Sequence, residues 1–336
     1  MSIPAVRPTS KSSNPPFFVS IEAELGRVED ILHAELTSVV KTVSDVSRHI
    51  LDAGGKRLRP SLVILSTCAC QGEMDSGRLV NIAAGTELIH MATLMHDDVI
   101  DGAESRRGRM TANSFWGNQV SVLAGDYMLA KATSLFSRDG SPRIMDALSQ
   151  ATIAMAEGEI RQIESLGDTG ALAEQCLSII RGKTAEFMST CCRIGAILAG
   201  ASESTEESLA QYGLNLGFAF QITDDLLDLV GNPAETGKPI GGDIREGKVT
   251  LPVILALEKA ESRDRMALES ILRGNATPED IDLARKLAED TGAIEGTRVV
   301  ASEYIEEAVR YLHTFPASEA RDSLQELAHF ILTRKR

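Results

Sequence analysis

Apolar residues recur at three- and four-residue steps along most of this chain, a period that admits helices and little else. Ile21, Leu25, Val28, Ile31, Leu32 and Leu36 begin the first stripe, and Val39, Val43, Val46 and Ile50 continue it. The spacing predicts one helix up to the break at Ala53-Gly54-Gly55. A second helix is expected from near Pro60 to Cys70, and a third from a cap at Asp75 or Ser76 to Asp101. Others are expected over 118–136, 142–166 and 172–198, and from a cap at Thr205 to Gly231, with four or five amphipathic helices after that. No run alternates apolar and polar residues as a half-buried strand would. Aromatics are only 4% of the chain while Ala and Leu are plentiful, which also favours helices. The expected fold class is therefore all-α, a single large helical-bundle domain over residues 17–336. Residues 1–16, with four prolines among Ser, Thr and Lys, are expected to form a disordered arm.

The formal net charge is -14, which argues against a nucleic-acid partner, because phosphate backbones need a basic face. Five cysteines show no Cys-x-x-Cys pair and read as reduced thiols of a cytoplasmic protein. No apolar run reaches the length of a transmembrane segment, and the N-terminus shows no apolar signal core.

Two acidic clusters stand out against this helical background: Asp97-Asp98-Val99-Ile100-Asp101 and Asp224-Asp225-Leu226-Leu227-Asp228. In each, the first and last carboxylates are four residues apart and project from one helix face. Each follows an apolar stretch and precedes a glycine, Gly102 or Gly231, which places it near a helix C-terminus. Like charges at this spacing repel, and the helix dipole is negative at that end. Local electrostatics thus oppose both clusters, and a bound cation would offset the cost. A solvated acidic helix end explains one such cluster, but two with identical spacing point to metal. All-oxygen ligands suit magnesium or calcium, and magnesium commonly bridges carboxylates to substrate phosphates.

Basic residues gather beside these clusters. Gly54-Gly55-Lys56-Arg57-Leu58-Arg59-Pro60 puts three cations in a glycine loop entering a helix, where backbone amides also attract anions. Arg106-Arg107 follow the first cluster. Lys183-Thr184 lie within an apolar stretch, and Lys238 and Lys248 flank Gly241-Gly242-Asp243. Singly each is an ordinary surface charge. Together, in an acidic chain, they suit a departing diphosphate.

The ordered set resembles the trans-type isoprenyl diphosphate synthases over nearly everything from residue 20 onward. The resembling motifs are Gly54 to Pro60, Asp97 to Asp101 with Arg106-Arg107-Gly108, Lys183-Thr184, Gln221 to Asp228, Gly237-Lys238-Pro239 and Lys248-Val249-Thr250. The resemblance implies an all-helical fold around a deep central cavity, assembled as a homodimer, with transient membrane contact for product release. It implies that Asp97, Asp101 and Asp224 hold magnesium, three ions in all, with Asp98, Asp225 and Asp228 assisting directly or through water. Arg106, Lys183, Thr184, Gln221 and Lys238 would grip an allylic diphosphate, with Lys248 beside them. Lys56, Arg59, His90 and Arg107 would bind isopentenyl diphosphate. His90 lies two helical turns before Asp97, and on spacing alone it reads as a satisfied half-buried histidine. His96 is read as structural. Asp97, Asp98, Asp101, Arg106, Lys183, Asp224 and Lys238 are the expected catalytic groups. The departed diphosphate would take the final proton, which suits a sequence with no evident Ser-His-Asp or Cys-His set.

By the same resemblance, the growing tail runs beside the helix before Asp97, and residues four and five positions earlier form its floor. Here these are Thr93 and Ala92, both small. One helical turn of about 5.4 Å is roughly one isoprene unit, so a missing floor lets the tail pass towards Leu88 and Ile89. The expected product is longer than C20, in the range C30 to C50, as used for quinone side chains. Met128, Leu135 or Met155 on neighbouring helices are alternative places to close the tunnel. A geranylgeranyl-length synthase is the shorter-chain reading. A class I terpene cyclase shares one aspartate motif but not a second Asp triad. A catalytic subunit that needs a second, non-catalytic chain keeps every motif.

Overall fold

The computed structural model describes residues 16–72, 75–106, 108–231, 240–274 and 276–334. The arm assigned to residues 1–16 therefore falls outside the described residues except for Pro16. Pro16–Ile21 is a 3-10 turn whose Phe17 and Phe18 are buried in the main core.

Two long helices carry the two acidic clusters. Helix α4 (Ser76–Ile100) starts at Asp75, whose side chain accepts the backbone N–H groups of Gly77 and Arg78 at 2.8 and 3.1 Å. It is apolar around most of its circumference, as a helix enclosed on every side must be. It packs between α3 (Leu58–Ala69), α1 (Glu22–Glu35) and α6 (Asn118–Asp139). The second long helix, α10 (Glu203–Val230), packs on α9 (Glu186–Leu198) and on a later helix, Ala293–Leu312. Since α3 also packs on α9, the two aspartate-bearing helices belong to one continuous core.

The remaining helices wrap this pair. They are α2 (Lys41–Asp52), α5 (Ala112–Trp116), α7 (Pro142–Glu164), α8 (Ala173–Ile180) and α11 (Gly242–Arg245), followed by α12 (Leu251–Lys259), α13 (Ser262–Arg273), α14 (Pro278–Asp290), α15 (Ala293–Leu312) and α16 (Glu319–Thr333). Two-residue strands pair Ser105 with Met110 and Arg106 with Arg109, and they are the sole ladder among the described residues.

Three expectations need correction. The helix predicted over residues 21–53 is two helices, broken between Leu36 and Val40. Hydroxyls at the break compete with the helical ladder: Ser44 Oγ accepts the Ser38 N–H, and Ser38 Oγ accepts the Val40 N–H. The helix predicted over 172–198 is interrupted by a π turn at Arg181–Ala185. The cap of α10 is Ser202, which accepts the Thr205 N–H, rather than Thr205 itself.

Candidate active site

The two acidic clusters close α4 and α10. Asp101 is the C-cap residue of α4, and Asp228 lies in the last turn of α10. Neither helix dipole welcomes them there. Two lysines stand between the clusters. Lys248 Nζ lies 3.4 Å from Asp101 Oδ1 and 2.5 Å from Glu246, and it also faces Asp243. Lys183 acts electrostatically on both Asp97 and Asp225. The clusters thus face one another across these lysines. On the α10 side a cavity of about 80 Å³ is lined by Gln162, Lys183, Gln221, Asp225, Asp243 and Lys248 among others, with no residue of the first cluster in its lining.

Lys183 reaches this position because the helix is not regular there. A π turn carries one extra residue in its ring and re-aims the side chains that follow. Two glycines make the turn possible. A Cβ on Gly158 of α7 would meet the Lys183 backbone nitrogen at 2.7 Å, and one on Gly182 would meet the Ala154 carbonyl at 2.8 Å. The backbones cross in contact, and Lys183 Nζ lies 2.6 Å from Glu159 and 2.7 Å from Gln162 Oε1, both on α7. On the other side, Thr184 Oγ1 donates to Gln221 Oε1 at 2.8 Å, and Gln221 Nε2 donates to Asp225 Oδ1 at 2.8 Å.

The carboxylates differ in their surroundings. Burial pushes Asp97 up to about 6, with Glu159 and Asp101 adding repulsion that Lys183 partly offsets. Burial pushes Asp225 up to about 7 against its hydrogen bond from Gln221. Asp243 is raised too, by burial and then by Asp228 and Asp225. Burial disfavours the charge on Lys248, but Glu246, Asp243 and Asp101 together hold its pKa above the usual lysine value. Asp98 is buried and takes the Arg106 guanidinium at 2.6 Å. Asp228 accepts the backbone N–H groups of Gly242 and Asp243 at 3.2 and 3.0 Å, fixing the start of α11. Asp224 pairs with Arg334 at 3.1 Å.

Among the described residues no three acidic, His or Cys side chains converge as a ready-made metal chelate. The donor set is instead two walls of carboxylates. It fits hard divalent cations that draw the rest of their shell from water and substrate phosphate, the usual habit of magnesium.

A second basic pocket adjoins the α10 wall. Arg59 Nη1 lies 3.2 Å from His90 Nε2, and Arg59 and Arg334 flank the Phe220 ring at 5.9 and 4.0 Å. Burial lowers the pKa of both arginines. The Nε atoms of both are buried without a hydrogen-bond partner. Lys56 lies over the Phe330 ring at 4.9 Å. These donors suit an anion in a desolvated pocket.

Below Asp97, Ala92 is fully buried, and the Thr93 hydroxyl donates to the His90 carbonyl at 2.8 Å. Farther down the same face of α4, the Phe136 ring fills the space over Gly85, where a Cβ would meet it at 2.5 Å. Met128, Leu135 and Phe136 are all buried in the main core. His96 Nε2 contacts the Val122 carbonyl at 3.2 Å and lies 3.5 Å from Asp126.

Sequence reasoning placed Asp97, Asp101, Lys183, Thr184, Gln221, Asp225 and Lys248 together, and the geometry brings them together. Arg107 and Lys238 lie outside the described residues. Glu159, Gln162, Asp243, Phe220 and Arg334 were not anticipated. Only Asp243 carried a signal, as the acid between two glycines and Lys248.

The polyprenyl synthetase family model matches residues 40–290. The chain belongs to that family. It is 36% identical to heptaprenyl diphosphate synthase component 2 of Bacillus subtilis over 91% of this chain and 88% of that one. It is 33% identical to octaprenyl diphosphate synthase of Escherichia coli over 93% and 96%. A crystal structure of polyprenyl synthase from Caulobacter crescentus, complexed with calcium and isoprenyl diphosphate, superposes with a TM-score of 0.92. That pair is 36% identical, covering 98% of this chain and all of that one. The family's prenyltransferase chemistry and all-helical architecture agree with the site and with the fold.

Proposed function

We propose that this chain condenses isopentenyl diphosphate units head-to-tail onto farnesyl or geranylgeranyl diphosphate, making an all-trans polyprenyl diphosphate of C30 to C50 for quinone side chains. The observation that carries the reading is the opposition of two aspartate walls across Lys183 and Lys248, with a separate arginine pocket beside them. One diphosphate belongs between the walls and the other in the pocket.

The allylic diphosphate is held by Lys183, Thr184 and Gln221, with Arg106, Lys248 and Lys238. Isopentenyl diphosphate is held by Lys56, Arg59, His90 and Arg107. Asp97, Asp101 and Asp224 are the principal magnesium ligands, and Asp98, Asp225 and Asp228 support them. Bound magnesium, three ions with substrate in place, supplies charge neutralisation on the diphosphate oxygens. The chain's own cations do the rest. As the allylic C–O bond breaks, the electron pair leaves with the diphosphate, and Lys183 stabilises that charge at a fixed position. The double bond of isopentenyl diphosphate attacks the allylic carbon, and the proton then lost goes to the departed diphosphate. The apolar face of α4 beneath Asp97 keeps water from the cation.

Residues 17–336 act as one catalytic domain. The thiols support a reducing, cytoplasmic setting: all five cysteines are free, and burial raises the pKa of each. No helix among the described residues is long and apolar enough to cross a membrane. Ile153, Ile160 and Ile163 on α7, with Val122 and Leu123 on α6, are exposed apolar side chains that a second copy would cover. A homodimer by light scattering supports that assembly, and a monodisperse monomer removes it.

Incubating the purified chain with farnesyl diphosphate, isopentenyl diphosphate and magnesium tests the whole reading. A polyprenyl product of C30 or longer supports it. A cyclic hydrocarbon would point to a cyclase, and elongation only after a second chain is added would mark an obligate subunit. Replacing Ala92 with Phe should shorten the product by several isoprene units. An unchanged chain length would mean that the tail does not pass Ala92, and would overturn the floor argument.

A further inference from the structure

The loop that carries Lys56 and Arg59 turns on a residue in an unfavoured conformation. Arg57 has φ 49° and ψ 41°, and Arg57 and Gln71 are the two non-glycine residues at positive φ among those described. Gln71 follows the C-cap of α3, where left-handed residues commonly end a helix. Arg57 sits at the N-cap, where extended Ser, Thr, Asp or Asn is usual. Such a conformation persists only where its surroundings over-determine it.

The surroundings do so from three helices. Arg57 Nε donates to Glu29 Oε1 at 2.5 Å and Nη2 to Glu29 Oε2 at 3.3 Å, reaching α1. Nη2 also donates to the Leu51 carbonyl of α2 at 3.3 Å, and Nη1 to Glu87 Oε1 of α4 at 3.0 Å. The Arg57 carbonyl accepts both the N–H and the hydroxyl of Ser61, at 3.1 and 2.8 Å, which fixes the first turn of α3. The side chain is 11% exposed and that of Glu87 only 4%.

Glu87 has a second task. Its other oxygen, Oε2, is buried without a hydrogen-bond partner, as is Arg59 Nε. Glu87 is also the charge that does most to support Arg59 against burial. His90, which contacts Arg59, lies three residues after Glu87 on the same face of α4. One carboxylate therefore fastens Arg57 directly and balances Arg59 through the field.

We propose that Arg57 is a positioning residue for the isopentenyl diphosphate pocket. Pinned by Glu29 and Glu87, it holds the turn that sets where Lys56 and Arg59 stand. Its ion pairs act on that substrate's binding and leave ionisation of the allylic diphosphate alone. The inference rests on the assignment of Lys56, Arg59 and His90 to that substrate, and wild-type elongation checks the assignment first. A wild-type chain that consumes no isopentenyl diphosphate refutes the assignment itself.

Given elongation, the double variant Arg57→Gln/Glu29→Gln removes the ion pair to α1 and leaves Glu87 in place to balance Arg59. Its KM for isopentenyl diphosphate should rise about tenfold or more, a displacement effect on one subsite. Its KM for farnesyl diphosphate should stay within about twofold of wild type. Arg57→Lys, which keeps the charge but not the fork, should recover part of the loss. An unchanged KM for isopentenyl diphosphate, or equal rises for both substrates, would overturn the proposal, the second pointing to a general loss of structure. If the double variant does not fold, Glu29→Gln at the more exposed end of the network carries the same test. It should raise the KM for isopentenyl diphosphate alone, by about threefold, and no change there overturns the proposal.

Discussion

The two aspartate walls share one spacing and differ in how they are held. On α4, every carboxylate answers to a side-chain cation from elsewhere: Asp98 to Arg106, Asp101 to Lys248, and Asp97 to the field of Lys183. On α10, amide donors take a larger share of the support. Asp225 accepts an amide from Gln221 and feels the field of Lys183, Asp228 accepts two backbone N–H groups, and Arg334 pairs with Asp224. The middle aspartate is buried in both. A carboxylate paired with a cation keeps its charge without metal, whereas a buried one met by an amide, as Asp225 is by Gln221, resists ionisation. Burial raises both, and the higher value for Asp225, about 7 against about 6 for Asp97, goes with its deeper burial. Ionisation of Asp225 should therefore depend more on bound magnesium than that of Asp98 or Asp101.

The strongest way to break this comparison is to neutralise one outward carboxylate in each wall. Asp97→Asn and Asp224→Asn should each lower kcat by about 10²–10³-fold, as when one fixed electrostatic contact to a transition state is lost. Turnover of labelled isopentenyl diphosphate at saturating magnesium measures this. Nearly wild-type turnover in Asp224→Asn alone would mean that the α10 wall is scaffolding.

Lys183 serves both walls, so moving it should hurt both. Gly158→Ala inserts a methyl where only 2.7 Å is free, and should cost about 1–3 kcal/mol of stability. Turnover should fall about tenfold through misplacement of Lys183. Thermal melts and kinetics on one sample separate the two effects.

The middle aspartates sharpen the contrast through stability. Asp98→Asn strips Arg106 of its partner and should lower the melting temperature. Asp225→Asn removes a charge that burial already opposes and should raise it in metal-free protein. Melting curves without divalent ions decide this, and shifts of the same sign would refute the distinction.

The smallest effect concerns pH. Asp97 and Asp225 have carboxyl pKa values raised above the unfolded 3.8. Such groups favour the folded state below the unfolded value, and the benefit is lost as pH rises through about 6 to 7. Magnesium competes for the ionised forms. Its stabilising shift in melting temperature should therefore be larger at pH 8 than at pH 5.5, and an equal shift at both would count against these carboxylates as ligands.

Much of this was legible from residue order. Apolar period located most helices, and the repeated Asp spacing located both walls. Three kinds of feature were not legible. Breaks made by hydroxyls, as at Ser38 and Ser44, look like ordinary helix positions. The π turn has no residue signature, because it depends on what crosses it. Glu159, Gln162, Phe220 and Arg334 are ordinary residues in sequence, and they gain meaning only when the fold sets them against Lys183, Arg59 or Asp224.

The glycine crossing also has a bearing on protein engineering. Since Gly158 and Gly182 lie on different helices and fit only each other's backbone, α7 and the π turn form one unit of exchange. A chimera that imports residues 173–198 from a relative without residues 142–164 would join two halves shaped for different partners. Recombination between family members should place its breakpoints outside that pair, before Pro142 or after Leu198.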